Sequence, residues 1–315
     1  MPNLRKRLYL KSYRRELDNV GSVLLRGLDP VSGIADHVAL PNLGFATNPT
    51  ITVEAWVWVS PTATGLNTFY AHGALANGQS FACFYKLPDA QFFIDFFGTG
   101  TAMIIRVPAN EVLGKWVHFA ATYDGTTRNR RMYINGNLVG SDTTPLPNIP
   151  NTAYSIGRFI NNGSAFNGNV DEVRIWATVR TEDQIRDNMN RTLTGLEPNL
   201  RAYYRFDILT GTTAIDSSPN GNNGTLNVYF GSDAQFSGLR QAPIYKNTLA
   251  GVITEFNMDG FTQSVNSGAG TLKVRLPRKF DDFGENTKIG VNYLIEVYVR
   301  PYRSNQSTMV SPGLS

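Results

Sequence analysis

The period of its apolar residues is what most constrains this chain. From residue 31 to 240 the sequence is a series of short alternating runs broken by Gly, Pro, Asn and Asp. That is the period-two signature of strands with two different faces. Ile51-Thr52-Val53-Glu54-Ala55-Trp56-Val57-Trp58-Val59 and Trp116-Val117-His118-Phe119-Ala120-Ala121-Thr122-Tyr123 are two such runs. Asn135-Gly136, between Arg131–Ile134 and Asn137–Gly140, is the strongest short hairpin signal in the chain. One segment reads as helix, Thr181 to Met189. Thr181 is its N-cap, Glu182 and Asp183 fill the first turn, and Ile185 and Met189 lie four apart. Many short strands at this spacing predict an all-β fold, a sandwich of two antiparallel sheets.

Three pieces are expected: a basic arm over 1–30, the sandwich over 31–240, and a small β-domain over 244–303, ending in a polar tail over 304–315. Ser237–Pro243 reads as the linker. The net charge of +4 belongs wholly to the arm. In its first 20 residues Arg5, Lys6, Arg7, Lys11, Arg14 and Arg15 face only Glu16 and Asp18, so the remaining 295 residues are neutral. A neutral body offers no continuous basic track, which speaks against nucleic acid as a partner. One cysteine, Cys83, excludes an internal disulfide framework and paired-cysteine zinc sites. His37, His72 and His118 are too scattered for a histidine metal motif. No run approaches the about 18 apolar residues of a membrane span, so no membrane insertion is expected. Leu8-Tyr9-Leu10 is cut short by Lys11, which leaves the basic N-terminus without the apolar core of a signal peptide.

Several blocks then recur in a fixed order. They are Asp36-His37-Val38-Ala39-Leu40-Pro41, Thr52–Val57, Gly114–Gly125, Tyr133–Gly140, Ser155-Ile156-Gly157-Arg158, Phe166–Trp176, Leu200–Asp207 and Asp216–Leu226. The set resembles the laminin-G-like, concanavalin A-like jelly-roll domains related to pentraxins, over residues 30–230. The resemblance implies two antiparallel sheets packed face to face and a binding role for sugars or proteins.

Candidate site residues follow from the strand patterns. Trp56, Trp116 and Trp176 are expected to fill the space between the sheets, and Trp58, of the same parity as Trp56, to point inward with it. Phe92, Phe93, Phe96 and Phe97 cannot all be buried on one strand face, so either they offer an exposed platform or their strand is covered on both sides. For catalysis, a retaining glycoside hydrolase needs two carboxyl groups about 5–5.5 Å apart. Positions i and i+2 on one strand would serve, but the neighbours Asp171 and Glu172 are expected on opposite faces. With no nucleophile elbow or phosphate loop either, the chain reads as non-enzymatic. Asp216, Ser218, Asn220 and Asn222 place side-chain oxygens at every second position, the spacing of a calcium loop, and Asp36 could add a second carboxylate. The same residues also suit an Asx-turn loop that satisfies itself, and the sequence leaves Ca2+ and the turn level.

Past the linker, Ser264-Val265-Asn266-Ser267-Gly268-Ala269-Gly270-Thr271-Leu272-Lys273-Val274-Arg275-Leu276-Pro277 precedes Ile295-Glu296-Val297-Tyr298. This pattern resembles the opening β-domain of bacteriophage tail-hub and baseplate proteins, which implies a ring of like subunits around a tail axis. Leu8-Tyr9-Leu10 and Tyr13 could pair as an added strand with this unit or with a neighbouring subunit. The leading expectation is thus a virion structural protein of a phage tail or baseplate. Its partners would be other virion subunits in a homo-oligomeric ring, and its sandwich would bind a cell-surface glycan or decorate the particle. The alternative is a free or cell-surface carbohydrate-binding protein.

Overall fold

A computed structural model describes residues 7–14, 19–47, 49–144, 148–160, 164–207, 211–228, 236–237, 242–244 and 250–257. In chain order the strands are β1 (Arg7–Arg14), β2 (Ser22–Arg26), β3 (His37–Leu40), β4 (Ile51–Val59), β5 (Leu66–Gly73), β6 (Ser80–Lys86), β7 (Gln91–Asp95) and β8 (Met103–Arg106). There follow β9 (Trp116–Tyr123), β10 (Asn129–Ile134), β11 (Asn137–Thr143), β12 (Tyr154–Ile156), β13 (Asn167–Trp176), β14 (Leu200–Tyr204), β15 (Thr213–Ala214), β16 (Gly224–Asn227), β17 (Phe236–Ser237) and β18 (Ala250–Asn257). The helices are α1 (Ala109–Val112) and α2 (Glu182–Asn188).

The chain divides into two compact units, residues 17–245 and residues 1–16 with 246–315. The larger is an all-β sandwich. One sheet runs β11-β10-β9-β4-β13-β2-β17, with β14 also paired to β13, and the other runs β15-β16-β3-β12-β5-β6-β7-β8. The Asn135-Gly136 pair turns β10 into β11 with both residues at positive φ, 50° and 78°, as a tight primed turn demands. Alternation sorts the core. Ile51, Val53, Ala55, Val57 and Val59 of β4 meet Tyr85, Phe92 and Ile94 of the opposite sheet in one buried cluster.

Two boundaries differ from expectation. Residues 19–30 are part of the sandwich, because β2 lies between β13 and β17. The expected linker and the first residue of the expected small β-domain also contribute to it, since Ala242 and Ile244 are buried against Trp56. Of the two pairings left open for the N-terminus, the structure has the one with the second unit: β1 pairs antiparallel with β18, from Arg7 opposite Asn257 to Arg14 opposite Ala250. The tail-hub-like pattern over 264–298 and the tail over 304–315 lie outside the described residues.

Trp56 and Trp176 are buried, and Trp58 and Trp116 half-buried, but not between the sheets. Trp56 has the parity opposite to Val53, Ala55 and Val57, so its ring leaves the outer face of the first sheet. It packs there with Trp116, Met189, Ala242 and Ile244 and donates Nε1–H to the Met189 carbonyl at 2.7 Å. Trp58 shares that side by register, opposite Trp116 and Asn169. Trp176 sits with Leu193, Leu200 and Tyr203. Helix α2 and the segments around 189–200 and 242–244 form a third layer, and a period-two pattern cannot tell an outer face so covered from an inner one.

Candidate functional site

The outer face of the first sheet carries a dense set of charges, all under that third layer. Glu172 sits at φ +50° where the β13–β4 register shifts between Asp171 and Arg174. This bulge overturns the expectation that Asp171 and Glu172 face apart, because a bulged residue breaks the alternation of its strand. Glu172 Oε2 accepts from Arg174 Nη2 at 2.7 Å and from the Tyr203 hydroxyl at 2.6 Å. Asp171 Oδ2 accepts from Asn19 Nδ2 at 2.5 Å and from the Ala242 N–H at 3.1 Å. Burial, and then the charge of Glu172, raise the Asp171 carboxyl well above its usual range. Burial also raises Glu172, against the pull of Arg174. Glu54 lies 3.1 Å from Arg180 Nε and is raised by burial too, while burial drives His118 well below its ordinary value and keeps it neutral. Every one of these acids is sealed from solvent. The acid pair is therefore closed to a polysaccharide, and its partners give it a structural task, neutralising Arg174 and pinning two chain segments.

The expected calcium loop is drawn together in part. Asp216 accepts four hydrogen bonds from the chain itself. Its Oδ1 takes the Tyr203 and Ser218 N–H groups, both at 2.9 Å, and its Oδ2 takes the Ser218 hydroxyl at 2.8 Å and the Asn222 N–H at 2.9 Å. Asn220 and Asn222 turn their amide N–H groups to the Leu200 and Arg201 carbonyls. The lone pairs of the single carboxylate are thus taken up, and the set does not fit a hard cation as placed. Asp36 is not part of it. Its Oδ2 accepts the Arg26 N–H at 3.3 Å, and Arg26 pairs with Asn167, whereas Tyr203 pairs with Arg174. Along β13 those points are roughly 20 Å apart at about 3.3 Å per residue. Among the described residues no group of three or more His, Cys, Asp and Glu side chains gathers as a metal centre.

A largely buried aromatic cluster with exposed ends lies on the outer face of the second sheet. Cross-strand register puts Phe84, Phe93 and Ile104 in one row across β6, β7 and β8. The Phe84 and Phe93 rings stack at 4.7 Å and 14°. Phe159 and Ile160 pack over this row, and Phe97 lies against Phe159 at 5.7 Å. Phe97 is 36% and Ile104 47% exposed, so the row surfaces at its ends. Polar side chains flank it: Lys86, Gln91 and Arg106 share one register row, and Asp95 stands opposite Ala82 on the other side. Burial raises the Asp95 carboxyl, opposed by Arg130. Phe92 and Phe96 point the other way, into the core. Of the four phenylalanines, Phe92 and Phe96 are buried in the core and Phe93 in the outer-face cluster, while Phe97 is exposed.

At the rim beside this face is a cleft of about 430 Å³ between β2, β5 and the start of β13, lined among others by Arg26, Leu28, Thr64, Leu66, Ser164 and Asn167.

Residues 32–186 match the family model described as the concanavalin A-like lectin/glucanases superfamily. The two antiparallel sheets of the sandwich are consistent with a concanavalin A-like jelly roll. No curated protein sequence matches the chain. Among solved structures, a Bacteroides ovatus protein assigned to carbohydrate binding is similar at 20% identity and a TM-score of 0.48, with 82% of this chain and 62% of that one covered. Domains LG4-5 of the mouse laminin alpha1 chain follow at 12% identity and 0.38, covering 49% and 40%. The CBM40 module of a Ruminococcus gnavus sialidase is similar at 13% and 0.37, covering 50% and 93%. The chain thus spans less than two thirds of the length of the first two.

Within the jelly roll, sequence reasoning missed Phe84, Phe159 and Ile104. Phe84 had a signal: it alternates with Cys83 and Tyr85 in a run that is apolar on both faces. Phe159 and Ile160 follow the Ser155–Arg158 block and carry no periodic pattern that could assign them to a face.

Proposed function

We propose that the protein is a non-enzymatic glycan-binding protein whose jelly roll holds carbohydrate on the outer face of its second sheet. The observation that carries this is the row Phe84–Phe93–Ile104, extended by Phe97 and Phe159 and bordered by Lys86, Gln91, Arg106 and Asp95. Apolar rings suit the C–H faces of a sugar, and polar groups at both borders suit its hydroxyls. The family description covers both lectins and glucanases. The sealed acid pair at Asp171 and Glu172 favours the lectin side. A glycan array read with the whole chain tests this. Phe97→Ala is expected to weaken the strongest signals about tenfold, ~1.4 kcal/mol, with the melting temperature unchanged. Hydrolysis of any polysaccharide on the array, or no loss on Phe97→Ala, would refute it.

We further infer that the second unit carries the jelly roll on a bacteriophage particle, as a tail or baseplate subunit in a homo-oligomeric ring. The support is the sequence pattern Ser264–Pro277 with Ile295–Tyr298. Mass spectrometry and electron microscopy of purified particles should find the chain in the tail. Particles that lack it would leave the free carbohydrate-binding protein as the better reading.

A further inference from the structure

The two borders of the outer face carry opposite charge. Lys86, Gln91 and Arg106 make one border, and Asp95 stands on the other, further along β7 by roughly 13 Å at about 3.3 Å per residue. Ile104 lies between them on β8, one strand repeat from Arg106 and therefore on the same face. On the first border one cation is uncommitted. Lys86 Nζ is 2.5 Å from Asp89 Oδ2, whereas Arg106 is exposed, and among the described residues no hydrogen bond or ion pair holds its guanidinium. On the other border Asp95 is half-buried, just past the Ile94–Met103 pair. It takes the Phe96 N–H, and among the described residues no side chain donates to it. Arg130, whose charge it feels, commits its fork to Asp142 at 2.6 and 2.9 Å. A free guanidinium and a carboxylate in want of donors thus stand on either side of one exposed apolar step, Ile104.

A guanidinium is all donor, and its planar fork matches an anionic oxygen group with two parallel hydrogen bonds. A carboxylate is all acceptor, so it matches hydroxyl and amide donors and repels a second anion. We propose that this face reads acidic glycans in one orientation. Arg106, with the Gln91 amide beside it, takes the carboxylate or sulfate ester of one sugar unit, and Asp95 takes the hydroxyls of a neutral unit beyond Ile104. Both residues determine specificity, Arg106 by attraction and Asp95 by turning away glycans that carry an acid at both ends. The assignment rests on the glycan-binding reading above.

The test presents the whole chain with neutral, singly acidic and doubly acidic oligosaccharides, by array and by calorimetry. The acids are uronates in one arm and sulfate esters in the other, each with its carboxyl-reduced or desulfated counterpart. Wild type is expected to favour singly acidic over neutral forms about tenfold, as one charge-assisted contact provides, and to reject the doubly acidic ones. The arm that carries the preference identifies the anion. Arg106→Gln should erase that preference and leave the neutral forms bound as before, with the melting temperature unchanged because the side chain is exposed. Asp95→Asn should admit the doubly acidic glycans, a gain of binding that a misfolded variant could not give. Three results each overturn the proposal and leave the glycan-binding reading standing: equal binding of acidic and neutral forms by wild type, a preference that survives Arg106→Gln, or rejection of doubly acidic glycans by an Asp95→Asn variant that melts as wild type does. Wild type binding no sugar of any kind overturns both.

Discussion

His72 lies between the sheets, its ring 4.8 Å from that of Tyr154 and 8° from parallel, and among the described residues neither ring nitrogen finds a hydrogen bond. Burial pushes its pKa down to about 3. The unfolded imidazole titrates near ~6.5, so below that pH the unfolded chain binds a proton that the folded one refuses, and stability is lost as the pH falls from 6.5 toward 3. His72→Phe keeps the ring and removes the titration. Its melting curves should match wild type near neutrality and show about 3 kcal/mol of relative stabilisation by pH 4.5. Equal acid sensitivity of the two proteins would count against this. Glu172 has the opposite role, because removing it takes the nearest carboxylate from the buried Arg174 guanidinium. Glu172→Ala should cost about 3–5 kcal/mol in chemical denaturation, since Arg174 keeps its place with its 2.7 Å partner gone. Neither role was legible from the residue types. Asp171 and Glu172 read as a strand pair facing apart, and nothing in Asn169–Trp176 announces that a non-glycine residue will take φ +50°.

Among the elements, α2 was the most legible. The Thr181 hydroxyl accepts the Gln184 N–H at 3.2 Å, and the Gln184 side chain accepts the Thr181 N–H at 3.0 Å, so a full capping box closes the start of a seven-residue helix. So short a helix has little intrinsic stability, and Thr181→Ala is expected to cost about 1 kcal/mol in thermal unfolding. A larger effect would mean that the cap also holds the layer over Trp56. The strands were legible as strands, and the turn at Asn135-Gly136 was fixed by its two residues. Which face each strand buries was legible only where one face meets water. β4 and β13 are covered on both sides, so the parity of Trp56 and Trp176 carried no sign of direction. β7 is covered on one side and partly on the other, and there Phe93 and Phe97 separated from Phe92 and Phe96 as alternation requires. The residues of the rim cleft come from loops and strand ends, where no periodicity exists to be read.

For the whole molecule, the unit boundaries decide what can fold alone. A fragment of residues 31–240 lacks β2 and the buried Ala242 and Ile244, which leaves Asn167–Val170 of β13 open along one edge and removes part of the cover of Trp56. A fragment of residues 17–245 keeps both. The longer fragment should give a cooperative melt and a near-ultraviolet dichroism signal, and the shorter one should aggregate or melt without cooperativity; the reverse would refute the boundaries. The reason those boundaries escaped the sequence is that Ser22–Arg26 is short and follows a basic run, so it read as arm. Its partner strand β13 lies more than 140 residues further on, at Asn167–Val170. The clasp at Asp171, which holds Asn19 and Ala242 on one carboxylate, brings the first and last turns of chain in the jelly roll side by side, with Asn19 Nδ2 only 3.3 Å from the Ala242 carbonyl. A domain whose two ends meet can be threaded into a host chain as a cassette. The strands β1 and β18, which pair with each other from either side of it, need not register what has been inserted between them. A lineage could therefore exchange one such domain for another of equally close ends while the β1–β18 ladder keeps its own register.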